Sequence, residues 1–173
     1  MPWLEEGSVP AGARILTDPS QSLLAADATE VVSDTGELRR NWAEGIFTID
    51  TPLTQAAMGW IGGKRLVLGD VDIAVIARSA TVAVQSLDGK PIRRSGRLLV
   101  SLSARSVPRS EGKAPFHSEP VKGQLTIRAA KGLRLYALAG TANDREAIPA
   151  PYVDGRYRIA LDRVAGVHWL ALE

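Results

Sequence analysis

Apolar and polar residues alternate with a period of two along most of this chain, the spacing of a strand that buries one face. The cleanest run is Val71-Asp72-Ile73-Ala74-Val75-Ile76, with apolar side chains at 71, 73 and 75. Gly123 to Arg128, Leu133 to Leu138, Arg156 to Leu161 and Val167 to Leu172 repeat it. Earlier, the stretches 29–33, 37–42, 45–50, 54–61 and 64–68 are β-prone runs. Asp34-Thr35-Gly36, Gly62-Gly63 and Gly69-Asp70 punctuate them. Residues 80–86 and 96–103 read as the two arms of a hairpin around Asp88-Gly89, a pair suited to the positive φ angles of tight turns. Between Arg105 and Pro115 lie two prolines and few apolar residues, so 104–120 reads as a long surface loop. Residues 140–151 read as a polar connection.

No helix-length run with a 3.6-residue period separates these segments; the one helix candidate, 20–28, is short. The pattern predicts about ten to twelve short strands at roughly 8–12-residue spacing. That argues for an all-β fold, an antiparallel β-sandwich of jelly-roll or immunoglobulin-like type, over a parallel α/β sheet. The whole span 1–173 reads as one sandwich domain, with residues 1–27 as a linker-derived lead-in.

Composition narrows the chemistry. Apolar residues make up 45% and charged residues 23%, an ordinary globular balance that argues against disorder over the whole length. Net charge is +2, from 21 basic and 19 acidic residues. The basic residues are scattered, with short pairs at Arg39-Arg40 and Arg93-Arg94, so no nucleic-acid partner is expected. The chain has no cysteine, which excludes disulfides, thiolate metal sites and a cysteine nucleophile. No apolar run approaches the ~20 residues that span a bilayer, so no membrane partner is expected. The acidic Glu5-Glu6 stands where a signal peptide carries base. This leaves a cytoplasmic protein or a domain of a longer secreted chain, and the second is the expectation.

Catalytic patterns are sparse. His117 and His168 are the available imidazoles, and no Gly-x-Ser-x-Gly elbow accompanies them. Glu37, Asp50 and Glu119 are acids that could face one another across a cleft, but no local motif singles out a pair. Asp70 and Asp72 flank Val71, an arrangement that sends both carboxylates to one strand face. They are the metal candidates and leave room for a structural calcium, although calcium wants about six to eight oxygens. Gly59 to Lys64 lacks the spacing of a phosphate loop. No cofactor is expected.

Aromatic platforms remain. Phe47, Tyr136, Tyr157 and Trp169 lie within regular strands and are expected in the core. Trp42, Trp60 and Tyr152 lie beside turns, where a ring is more readily exposed, and Asn41, Gln55, Arg40 and Asp50 could supply hydrogen bonds nearby. Exposed rings with polar neighbours suit a sugar, whose C–H faces stack on flat rings while its hydroxyls seek partners.

Several stretches resemble the C-terminal β-sandwich region of large bacterial glycoside hydrolases. They are Ser33 to Leu38, Phe47 to Ala56, Leu68 to Val71, Ser86 to Ile92, Ser95 to Leu99, Glu119 to Gly123 and Gly155 to Ile159. In such enzymes the catalytic acids belong to a separate barrel domain. The resemblance therefore implies a non-catalytic accessory module of a secreted parent chain. It would bind a polysaccharide or oligosaccharide, a plant-type β-glycan; the resemblance itself carries over no binding residue, and the candidates are those the residues offer, Trp42, Trp60, Tyr152, Asn41 and Gln55. The alternative it implies is a structural spacer packed on the catalytic hydrolase domain; a small glycan-active enzyme is the third reading.

Overall fold

The computed structural model describes residues 27–110, 113–138, 145–164 and 166–173. The expected lead-in over 1–27 and the helix candidate over 20–28 fall almost wholly outside them. Four consecutive strands, β1 (Glu30–Val32), β2 (Leu38–Asn41), β3 (Ile46–Asp50) and β4 (Thr54–Gly59), form an antiparallel meander. The chain then crosses to a second sheet for β5 (Arg65–Val67) and β6 (Val71–Val75), and returns for β7 (Ala80–Ser86) and β8 (Leu98–Ala104). A separate two-stranded ribbon follows, β9 (Ser106–Ser110) and β10 (Lys113–Ser118). The remaining strands are divided between the sheets: β11 (Gly123–Arg128), β12 (Leu135–Leu138), β13 (Arg145–Ile148), β14 (Tyr152–Val153), β15 (Arg156–Ala160) and β16 (Trp169–Leu172).

The result is a nine-stranded sheet ordered β1-β2-β3-β4-β7-β8-β16-β12-β13 and a five-stranded sheet ordered β14-β15-β11-β6-β5. The pairings are antiparallel throughout, as expected for an all-β sandwich.

Alternation explains why the sheets stack. Val71, Ile73, Leu125, Ile127 and Ile159 point inward from the smaller sheet. Val82, Val84, Leu98, Val100, Leu135, Leu170 and Leu172 meet them from the larger, and none of these twelve is more than 1% exposed. Burial of each such side chain contributes about 1.5–3 kcal/mol. Ile61, Ile92, Leu161 and Val164 close the ends of this layer. Among the described residues of β1–β3, only Ile46 joins the core cluster. These strands therefore reach beyond the shared core as an overhang, although Thr48 and Asp50 still border Leu66 to Leu68 at the edge of the five-stranded sheet.

Local chemistry sets the turns. Asp154 (φ 52°) and Gly155 (φ 78°) form a two-residue connection that brings Val153 opposite Arg156, and positive φ at both positions matches the twist of the flanking strands. The hairpin expected over 80–103 is present, with Ala80 opposite Ala104 and Ser86 opposite Leu98. Its tip is organised by Asp88, whose carboxylate accepts from the Gly96 and Lys90 backbone N–H groups and the Ser86 hydroxyl. Led by the Gly96 N–H, these bonds hold the Asp88 carboxyl well below the usual carboxylate range.

The structure corrects three expectations. The described residues form sixteen strands rather than the expected ten to twelve, because several are only two to four residues long. The stretch expected as a loop over 104–120 is largely the β9–β10 ribbon. Pro108 and Pro115 fit there because each strand of an isolated ribbon has one free edge, where a missing N–H costs no pairing. Trp169 is not a core residue: it lies opposite Ser101 on the outward side of the large sheet and is 54% exposed.

Candidate functional site

The overhang carries an open cleft of about 630 Å³, lined by Arg40, Asn41, Trp42, Gly45, Ile46, Phe47, Met58, Gly59 and Trp60. Its volume lies within the range of small-ligand sites, about 300–1,000 Å³. Trp42 stands in the turn after β2, where its backbone N–H donates to Thr29 and its indole Nε1–H donates to the Ala28 carbonyl at 2.8 Å. Those bonds satisfy the polar edge of the ring and leave the residue 41% exposed.

Trp60 follows β4 and is placed by two glycines. Gly59 has φ 102°, and a Cβ built on it would lie 2.0 Å from the Gly45 carbonyl oxygen. Gly45 has φ 67°, and a Cβ there would lie 3.2 Å from the Trp60 indole. Glycine at 59 is what lets the strands approach this closely, glycine at 45 accommodates the positive φ beneath the indole, and the Trp60 N–H donates to Gly45 at 3.0 Å. Trp60 is 57% exposed, with the Arg78 guanidinium 5.5 Å from its ring centroid, within cation–π reach.

The floor comes from the cross-strand row Arg40, Phe47, Met58, in which Arg40 opposes Phe47 and Phe47 opposes Met58. Phe47 is thus an outward residue of the cleft, not the core residue its strand suggested. Inward Ile46 and outward Phe47 are consecutive, so the alternation contains the signal once Ile46 is assigned to the core. The polar groups are Arg40 and Asn41. The Asn41 Oδ1 accepts the Glu44 N–H at 2.9 Å, which leaves its amide N–H₂ as the group a ligand could meet. Lys64 pairs with Glu44 at 2.6 Å and ties the Trp42 turn to the loop after Trp60. No described residue lining the cleft is a carboxylate or an imidazole.

Two expected site residues lie elsewhere. Gln55 is 2% exposed; its Oε1 accepts the Asp70 N–H at 2.8 Å and its Nε2 donates to Thr51. It alternates with Met58 and faces inward, so it bridges the sheets rather than meeting a ligand. Tyr152 belongs to the five-stranded sheet. Its ring packs 4.8 Å from that of Tyr157, and its hydroxyl donates to the Ala129 carbonyl.

The metal candidates do not converge either. Asp70 is buried and accepts from Arg93 Nε at 3.3 Å, whereas Asp72 pairs with Arg65 and Arg156 on the outward face. The reason is that Asp70 precedes β6, where alternation does not yet govern its direction. Among the described residues, no group of three metal-ligating side chains gathers.

Of the acids, Glu37 and Asp50 border a separate depression of about 340 Å³, in which the Asp50 carboxylate accepts the Gly69 N–H. Glu119 lies beyond the ribbon. His168 Nδ1 is 3.1 Å from the Leu102 carbonyl, which makes it the donor, and exposed His117 faces Val107 across the ribbon.

No family model matches this chain, and no curated protein or solved structure matches it.

Proposed function

We propose that the Trp42–Trp60 cleft binds a neutral carbohydrate and that the chain serves as a non-catalytic module of a larger secreted bacterial glycoside hydrolase. The observation that carries this reading is the pair of exposed indoles in one open cleft, with Phe47 and Met58 beneath them and Arg40 and Asn41 at the side. Such a surface offers flat apolar area for pyranose C–H faces and a few donors for hydroxyls. A lining without a carboxylate or imidazole favours binding over hydrolysis, since glycoside cleavage uses two acids flanking the bond.

Native gels containing xylan, mixed-linkage β-glucan or hydroxyethylcellulose test the reading. At least one should retard the wild-type chain, and Trp60→Ala should weaken that association about tenfold or more, roughly 1.4 kcal/mol. A chain that migrates freely through every glycan of a broad panel ends this proposal.

The outward face of the nine-stranded sheet favours a second reading, a spacer that packs on the catalytic domain. From β3 to β12 its outward positions carry no charge and include exposed Trp169, and Leu38 on neighbouring β2 adds further exposed apolar area. On this reading the isolated chain self-associates through that face in sedimentation experiments and Trp169→Lys makes it monomeric; a monomeric wild type at high concentration counts against it.

A further inference from the structure

The outward face of the five-stranded sheet has a different chemistry. The alternation that buries Leu125, Ile127, Tyr157 and Ile159 sends Arg65, Asp72, Thr126, Arg128, Arg156 and Arg158 outward. Arg128 lies directly opposite Arg156, an antiparallel pairing of like charges that repel. Among the described residues no ion pair forms at Arg128.

Asp72 stands between the arginines. Its carboxylate is 3.1 Å from Arg65 and 3.5 Å from Arg156, so it orients both guanidinium groups while each keeps N–H donors to spare. Arg158 has Asp154 at 3.9 Å, a side chain almost wholly in solvent. These residues line a depression of about 610 Å³. A second depression of about 210 Å³, walled by Pro149, Pro151 and Arg163, shares Gln124, Thr126 and Arg158 with it, so the two form one groove across β15.

We infer that this groove is a second ligand site, for a saccharide bearing carboxylate or sulfate groups. Guanidinium forks match such groups with two parallel hydrogen bonds, and Gln124 and Thr126 lie between them as partners for hydroxyls. Asp72 and Asp154 temper the positive field. That suits a ligand with spaced charges and disfavours a phosphodiester backbone, which places one charge at every step. Among the described residues no aromatic ring lines the groove, so it offers nucleic-acid bases no stacking platform. The site is independent of the Trp42–Trp60 cleft, which lies on the other sheet.

The test is titration calorimetry and gel retardation of the full chain with polygalacturonate and chondroitin sulfate, at low and high salt. At least one should bind at low salt and weaken as salt rises. Arg65→Gln/Arg158→Gln, two exposed positions that line the groove outside the core, should lower that affinity tenfold or more. Trp42→Ala/Trp60→Ala should leave it unchanged. Arg128→Gln alone should raise Tm at low salt by removing the repulsion with Arg156, whereas a purely structural arginine would lower it. The inference is overturned by no binding to either acidic glycan, by unchanged affinity in the arginine double variant, or by equally tight binding of oligothymidylate. Neutral-glycan binding without acidic-glycan binding removes this site and leaves the tryptophan cleft standing; the reverse pattern does the opposite.

Discussion

On the nine-stranded sheet, the outward positions from β3 to β12 are Phe, Ile, Met, Leu, Tyr, Trp and small or neutral polar residues. On the five-stranded sheet they include Arg65, Asp72, Arg128, Arg156 and Arg158. Inward, both sheets present mainly aliphatic residues at alternate positions. The core thus constrains half of each strand in the same way, and the other half is free to reflect what each face meets. An antiparallel sheet normally solvates one face with polar residues, and the smaller sheet does so. The larger one has no charge there from β3 to β12, and that is why the proposed contacts are placed on this face and on the cleft of its overhang.

Substitutions can separate what the faces share from what each owns. Leu125→Ala opens the shared core and should lower stability by about 2–5 kcal/mol in chemical unfolding, abolishing the distinction between faces because both lose their support. Gly59→Ala forces a side chain into the Gly45 carbonyl at a positive φ. It should cost about 1–3 kcal/mol and shift the Trp60 fluorescence while leaving the arginine face unaltered. Gln55→Ala strips the buried Asp70 N–H of its acceptor and should cost about 1–3 kcal/mol, with glycan affinity in native gels unchanged; a loss of affinity would restore Gln55 to the site.

A smaller effect belongs to Asp88→Asn. Because folding lowers the carboxyl below its ordinary value of about 3.8, its contribution is complete above that pH and fades as pH falls toward the folded value. The variant should therefore be less stable than wild type near neutrality and converge with it in acid-unfolding curves below about pH 3.8. The smallest change expected is Arg65→Ala: an exposed ion pair contributes about 0–1 kcal/mol, and Arg156 still accompanies Asp72.

The sandwich was legible because period-two alternation is a direct imprint of a two-layer core, as at Val71, Ile73 and Val75. What periodicity cannot supply is the partner of the outward set. Trp42 and Trp60 could be singled out by the neighbouring glycines, yet their meeting in one cleft depends on β2, β3 and β4 pairing in succession. Gln55 turns inward because the Asp70 N–H across the sandwich claims its carbonyl, a partner fifteen residues away that local pattern does not reveal. The β9–β10 ribbon was hidden by its prolines, and the arginine groove by its dispersal over β5, β11 and β15, which lie far apart in sequence.

The ribbon has a consequence of its own. Among the described residues it pairs only with itself, and its stem is already closed where the Glu119 N–H donates to the Arg105 carbonyl at 2.8 Å. Everything above that stem can change in length, or be exchanged for a whole inserted domain with neighbouring ends, without resetting the register of β8 or β11. The link between Arg105 and Glu119 is thus the natural splice point of this sandwich, a position where the chain can acquire new material while the two sheets stay as they are.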